Sequence, residues 1–195
     1  MTLPPWLTGP TLLSTLAILC LSLPTLANTS IVEVDQELRK QLIDAVSQAD
    51  SFEDRFDAEV WLMDMSNRIG RYVKDDQNRL HILRSVHREA TKAGLPPDLV
   101  LSVIHTESLF KRFAISVVGA QGLMQVMPFW KNEIGRPSDN LTDIDTNLRY
   151  GCTILAHYLK RSKGNITEAL ARYNGSYGKM KYPNKVYANQ TRYQD

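Results

Sequence analysis

Gly94, Pro96 and Pro97 punctuate the chain more firmly than any other cluster: a residue suited to closing one helix, then two that suit the entrance of the next. Asp98 adds a carboxylate at the positive end of the helix dipole. The pattern predicts a helix from about Asp98 to Phe110, with Val100, Val103 and Ile104 on its apolar face. The next positions of that series at helical spacing are Glu107 and Ser108. A lone helical Glu is ordinarily a solvated surface residue, but this one continues a buried stripe, where an unpaired charge is expensive. The conflict favours a pocket. Burial and the negative end of the dipole both oppose the anion, so the Glu107 pKa is expected to rise, as suits a general acid.

Downstream, Gly119-Ala120-Gln121-Gly122 reads as a tight turn, and Leu123-Met124-Gln125-Val126-Met127-Pro128 as a short helix limited by Pro128. Leu123, Val126, Met127 and Trp130 are expected to pack inward. Gln125 falls off that face, free to address a polar ligand.

Elsewhere the periodicity is helical, with no strand alternation of any length, so the expected class is all-α. Helices are predicted over 31–46, over 56–69 (Val60, Trp61, Met63 and Met65 among its apolar positions) and over 77–93 (Leu80, Leu83, Val86, His87 and Ala90 on one side). Lys131 to Asn140 reads as a loop that could edge a cleft. Asp145 or Thr146 is expected to cap a helix running to about Lys163 and closed by Gly164, and Thr167 to cap a short one ending at Tyr173 and Asn174.

Of the 195 residues, 23 are Lys or Arg and 21 are acidic, a formal net charge of +2. No basic run interleaved with aromatics accompanies it, which argues against a nucleic-acid partner. Residues 1–27 carry no charged side chain and hold an apolar core ending at Pro24-Thr25-Leu26-Ala27. This reads as a secretory signal cleaved after Ala27, and hence as an exported, periplasmic or envelope protein. Retention as an anchor and lipidation at Cys20 are the alternatives, and a membrane is a partner only if the leader is uncleaved.

After cleavage Cys152 is the only cysteine left, which excludes an intramolecular disulfide and reads as a small core residue. His105-Thr106-Glu107 contains the H-x-E triplet of zinc deaminases without the accompanying P-C-x-x-C, and the four histidines give no metal signal. No metal and no cofactor are expected. Seven of the eight tyrosines lie from Tyr150 onward; half or more of them can simply pack, and the others are of the kind that sugar-binding clefts use, where rings lie on C–H faces and hydroxyls hydrogen-bond.

Taken together, Glu107-Ser108, the run G-A-Q-G-L-M-Q-V-M-P, Asp145-Thr146-Asn147-Leu148-Arg149-Tyr150-Gly151 and Ala171-Arg172-Tyr173-Asn174-Gly175 resemble the goose-lysozyme-related lytic transglycosylases that carry an SLT-type catalytic domain. The third piece resembles that family's D-P-x-x-N-I-x-x-G segment and the last its A-x-Y-N-x-G motif. The resemblance covers roughly residues 80 to 190. It implies a lysozyme-like α-rich catalytic domain, taken as 77–195, preceded by a helical extension over 28–76.

The resemblance further implies that Glu107 protonates the oxygen between N-acetylmuramic acid and N-acetylglucosamine in peptidoglycan glycan strands. Glu107 then acts as a base toward the sugar's 6-hydroxyl, leaving a 1,6-anhydro end. Ser108 and Gln125 would contact the acetamido and neighbouring polar groups, and Tyr173 and Asn174 would shape the subsite and orient Glu107. The family's late tyrosine matches Tyr182, with Tyr187 as the alternative; its usual preceding Glu-Thr is replaced here by Met180-Lys181. Two other readings stay open. A hydrolytic muramidase would need a second acid, with Glu133, Asp139 and Asp143 as candidates, and a non-catalytic peptidoglycan-binding or secretion-assembly protein would need none. Cell-wall or secretion machinery is a further candidate partner.

Overall fold

The computed structural model describes residue 51 and residues 54–194, so the leader and the helix expected over 31–46 lie outside the described residues. Seven helices follow in order among them: α1 (Arg55–Ile69), α2 (Asp76–Ala93), α3 (Pro97–Ser108), α4 (Trp130–Ile134), α5 (Ile144–Arg161), α6 (Ile166–Tyr173) and α7 (Lys181–Gln190). Sheet structure among the described residues is limited to two isolated bridges, Ile115 to Gln121 and Gln121 to Val126. The class is all-α.

The helix ends follow local chemistry. Asp54, Asp75, Asp143 and Asn165 each sit in extended backbone and accept from N–H groups of the first turn, capping α1, α2, α5 and α6. The α5 cap therefore falls two or three residues before the expected Asp145 or Thr146, and the α6 cap two before Thr167. Thr167 is free of that duty and its hydroxyl meets the Tyr187 hydroxyl at 2.7 Å. Gly94 closes α2 in the left-handed conformation, as its place before the proline pair predicts.

In α1 the buried set is Ala58, Leu62, Met65 and Ile69, while Val60 and Met63 face outward. That corrects the apolar face read from the sequence. Two apolar stripes compete on this helix, and 58/62/65/69 is the one that keeps strict 3.6-residue spacing. It packs on α2, whose Leu80, Ile82, Leu83, Val86 and Ala90 are all buried, and α2 packs in turn on α3 and α5. These residues join Leu99, Val103 and Ile104 of α3, Leu148 and Leu155 of α5 and Val186 of α7 in one continuous core.

One polar contact reinforces the α2–α5 packing. Asp145 accepts from Ser85, His81 at 3.1 Å and Arg88 at 2.8 Å. Burial works to raise its carboxyl, but these donors outweigh that and hold it down at about 2.

The helix carrying Glu107 stops at Ser108, two residues short of the expected end. Leu109 (φ 52°) and Phe110 (φ 62°) are both left-handed, and two consecutive non-glycine residues in that region are costly. The compensation lies in Phe110, which turns into an aromatic nest, stacked on Tyr72 at 5.6 Å and edge-on to Tyr193 at 6.2 Å. His105 belongs to the same nest, with its Nδ1 2.8 Å from the Tyr193 hydroxyl, and burial pushes its imidazole below the ordinary range.

Candidate active site

The sharp reversal after Ser108 leaves Glu107 in the last turn of α3, facing a cleft of about 390 Å³. Thr106, Asn174, Ser176, Tyr182 and the lysines 179, 181 and 185 form the rest of its lining. Glu107 is the one carboxylate among them. It is half-buried, and that burial pushes its carboxyl above the ordinary range. The opposing influence is one hydrogen bond, donated by the Tyr182 hydroxyl to Glu107 Oε1 at 2.7 Å. With Oε1 so engaged, Oε2 is the oxygen left to carry a proton toward a ligand. Burial, with the Glu107 carboxylate adding to it, raises the Tyr182 phenol well above the usual value, so it keeps the proton that it donates to Glu107.

The segment 119–129 is tied to Ser108 and Tyr173, the chain neighbours of the cleft residues Glu107 and Asn174, and is not the short helix expected from Leu123 to Pro128. Gln121 and Val126 exchange both backbone hydrogen bonds at 2.9 Å, so the chain forms a tight loop between them. Gly122 (φ 77°) and Gln125 (φ 50°) are left-handed, which an α-helix does not tolerate. Buried Asn147 of α5 replaces the missing helical bonds. Its Oδ1 accepts from Met124 N–H at 2.8 Å, and its Nδ2 donates to the carbonyls of Gln121 (2.8 Å) and Leu141 (2.7 Å). A side chain at Gly122 would strike that amide, and one at Gly151 would strike Met124, so both glycines are spaces the loop requires. The inward packing expected of Leu123 and Val126 is present, while Met127 and Trp130 are only half-buried.

The remaining sequence-predicted residues take different places. Ser108 is buried, and its single hydroxyl proton goes to the Leu123 carbonyl at 2.7 Å, with the Ile104 carbonyl farther away at 3.1 Å. Tyr173 donates to the Met124 carbonyl at 2.7 Å. Gln125 donates from Nε2 to the carbonyls of Gly122 (3.0 Å) and Ala114 (3.2 Å), leaving Oε1 for other contacts. These three side chains thus hold the loop, whereas Asn174, at the end of α6, lines the cleft. Of the two late tyrosines, Tyr182 meets Glu107 and Tyr187 ties α7 to Thr167.

The three alternative acids stand apart. Asp139 accepts from Tyr150 at 2.6 Å, Asp143 caps α5, and Glu133 is exposed on α4. None of them lines the Glu107 cleft, and neither does the stretch 131–140, of which the first four residues extend α4 rather than forming a loop. Sequence reading assigned no role to Asn147, although the signal was present. It is a polar residue three positions after buried Ile144 and four before Gly151, on the face that packs inward.

A carboxylic acid held half-buried by a phenol, beside a loop pinned by buried amide and hydroxyl groups, is the arrangement onto which the family comparison maps. The sequence profile described as "Transglycosylase SLT domain" matches residues 84–194. The chain belongs to this family. The chain is 35% identical over 103 residues to "Transglycosylase" of Enterobacteria phage PRD1, covering 49% of this chain and 38% of the phage protein. It is 30% identical over 121 residues to "Membrane-bound lytic murein transglycosylase C" of Yersinia pestis (strain Pestoides F), covering 54% of this chain and 34% of that protein. The chain spans a little over a third of the length of these curated relatives. Among solved structures, an inactive mutant of the lytic transglycosylase Slt from Pseudomonas aeruginosa superposes with a TM-score of 0.47 at 23% identity, over 83% of this chain and 26% of that one.

Proposed function

We propose that this protein is a peptidoglycan lytic transglycosylase of the cell envelope, cleaving the bond from N-acetylmuramic acid to N-acetylglucosamine without consuming water. The observation that carries the reading is the single carboxylate of the cleft, Glu107, with its raised pKa and its Tyr182 donor. Glu107 protonates the glycosidic oxygen from Oε2. The Tyr182 hydrogen bond then stabilises the carboxylate that results, and this carboxylate takes the proton of the muramic 6-hydroxyl as that oxygen closes onto the anomeric carbon. The proton balance is zero over the cycle. Water has no carboxylate to activate it among the described lining residues, whereas hydrolytic glycosidases place one on the opposite face of the sugar. The 6-hydroxyl, already attached to the reacting ring, has the entropic advantage.

In this reading Ser108, Gln125 and Tyr173 position the loop that faces the sugar, with Gln125 Oε1 and Asn174 available to its polar substituents. Residues 77–195 form the catalytic unit and α1 is a helical brace in front of it. The names of the relatives, one of them a membrane-bound murein enzyme, support an envelope location and a peptidoglycan substrate. The periplasm is the compartment that the apolar leader favours.

The test is the product. Digestion of purified peptidoglycan is expected to give muramic ends of 1,6-anhydro mass that resist borohydride. Mainly reducible muramic ends in a short digest would establish a hydrolase instead. Glu107→Gln is expected to lower the rate by roughly 100- to 10,000-fold with the fold retained by circular dichroism. An active, folded variant would remove Glu107 from the role of acid.

A further inference from the structure

Exposed apolar side chains gather at one place that the proposed reaction does not use. Val117 is 107% exposed, Val118 75%, Phe113 68% and Ile115 67%, and none of the four lines the Glu107 cleft. Val117 and Val118 occupy the two corners of the tight turn 116–119, which the Gly119 N–H closes by donating to the Ser116 carbonyl at 2.9 Å. Such corners are the habitual place of Gly, Pro, Asn, Asp and Ser, so two bare β-branched residues there call for another reason.

The turn is firmly built. The Ser116 N–H donates to the Ala120 carbonyl at 2.9 Å, and the Ser116 Oγ accepts from the Ala120 N–H at 3.0 Å. Phe110 roots the segment in the aromatic nest, and the Ala114 carbonyl accepts from the Gly122 N–H at 2.8 Å. These backbone groups are satisfied within the protein, so the tip can leave water without stranding them.

Charge selects what the tip meets. No acid occurs between Glu107 and Glu133, whereas Lys111 and Arg112 stand at the foot of the segment, the Arg112 guanidinium 4.6 Å over the Phe113 ring. The outward apolar stripe of α1, Phe56, Val60 and Met63, is instead interleaved with Glu59 and Asp64. An apolar tip on a cationic foot matches the layering of an anionic lipid surface, hydrocarbon behind phosphate. A lipid surface also accepts a convex tip without the matching pocket that a protein partner would have to supply.

We propose that residues 111–118 form a lipid-contacting loop: Phe113, Ile115, Val117 and Val118 enter the interfacial layer of an anionic bilayer while Lys111 and Arg112 meet its phosphates. The contact is independent of the reaction assigned to Glu107. Because the Ala114 carbonyl also accepts from Gln125 Nε2, docking holds the loop 119–129 close to the membrane surface.

The experiment reads the tip itself, whatever the leader contributes. A dye that brightens in apolar surroundings is attached to the full chain at Val117→Cys, or at Lys163→Cys as the reference, in a Cys20→Ser background where the remaining Cys152 is buried. Vesicles of phosphatidylethanolamine with phosphatidylglycerol are titrated in, and vesicles of phosphatidylcholine serve as the neutral control. The dye at position 117 is expected to brighten with the anionic vesicles, and the dye at 163 to stay dim. Adding Phe113→Ser and Val118→Ser should weaken the response about tenfold. Adding Lys111→Gln and Arg112→Gln instead should weaken it about fivefold for each charge. Ile115 is left in place because it bridges to Gln121, and circular dichroism checks that each variant keeps the fold. A dye at 117 that stays dim with anionic vesicles overturns the proposal, as does an equal response to neutral ones. Brightening without lipid that grows with protein concentration overturns it in favour of a second copy, and brightening only with envelope proteins in favour of a protein partner.

Discussion

The α2–α5 scaffold and the loop 119–129 lie against each other and are held by opposite means. Between α2 and α5 the contact is apolar, built from Leu83, Val86, Leu148 and Leu155, with one polar cluster at its edge around Asp145. The loop adds Leu123 and Met124 to the same core, but its path is set by the Asn147 amide, by the Ser108 and Tyr173 hydroxyls and by three left-handed residues, Gly119, Gly122 and Gln125. An apolar interface tolerates small shifts at graded cost, whereas a directional network loses a buried partner outright when one member goes. The difference teaches where precision is kept: the rigid bundle gives stability, and the polar network beside Glu107 gives position.

Breaking each side tests this division. Leu83→Ala, deep in the scaffold, is expected to cost about 2–5 kcal/mol of global stability, read by denaturant melts, while the remaining folded fraction keeps its specific activity. Asn147→Ala removes three hydrogen bonds and strands the Met124 N–H and two carbonyls. A stability loss of about 2–3 kcal/mol is expected, together with a rate loss on the order of 100-fold from misplacement of the loop. A folded Asn147→Ala enzyme of full activity would refute the positional role.

The polar edge of the scaffold is tested through pH. Asp145 is held at about 2 in the native state against an unfolded value near 3.8, so its contribution is present above the unfolded pKa and fades as pH falls through about 2. Being half-exposed, it is screened, and Asp145→Asn is expected to cost about 1 kcal/mol near pH 6. Urea melts of wild type and variant should converge toward pH 2; a gap that persisted there would assign the effect to packing. The smallest change is Ser108→Ala, which removes one donor to the Leu123 carbonyl. It should cost about 1 kcal/mol, with a rate effect smaller than that of Asn147→Ala when both are assayed on the same strands.

The same contrast explains what was legible in the residues alone. Helices α2, α3 and α5 announce themselves because burial every third or fourth residue is a local property, and Glu107 stood out as a charge on such a stripe. Leu123 to Pro128 carries a helical spacing too, yet it is a loop, because its hydrogen-bond partners lie 15 to 49 residues away on Ser108, Asn147 and Tyr173. No local pattern encodes such partners. The end of α3 was misplaced for a related reason. Left-handed Leu109 and Phe110 are sustained by Tyr72 and Tyr193, which only the fold brings together.

The last helix and the residues just after it close contacts with α1 and α3. Tyr182 reaches Glu107 across 75 residues, and Tyr193 reaches His105 across 88. Gln190 reaches Asp98 across 92, and Arg68 of α1 donates to the Arg192 and Gln194 carbonyls across 124 and 126. Contacts of such sequence separation form late, since loop closure must be met before they reward the chain. A polypeptide emerging N-terminus first can therefore assemble α1, α2 and α3 while Glu107 still lacks its phenol partner. The pairing of Glu107 with Tyr182 is therefore among the later contacts of this domain to form, after the local packing of the first three helices.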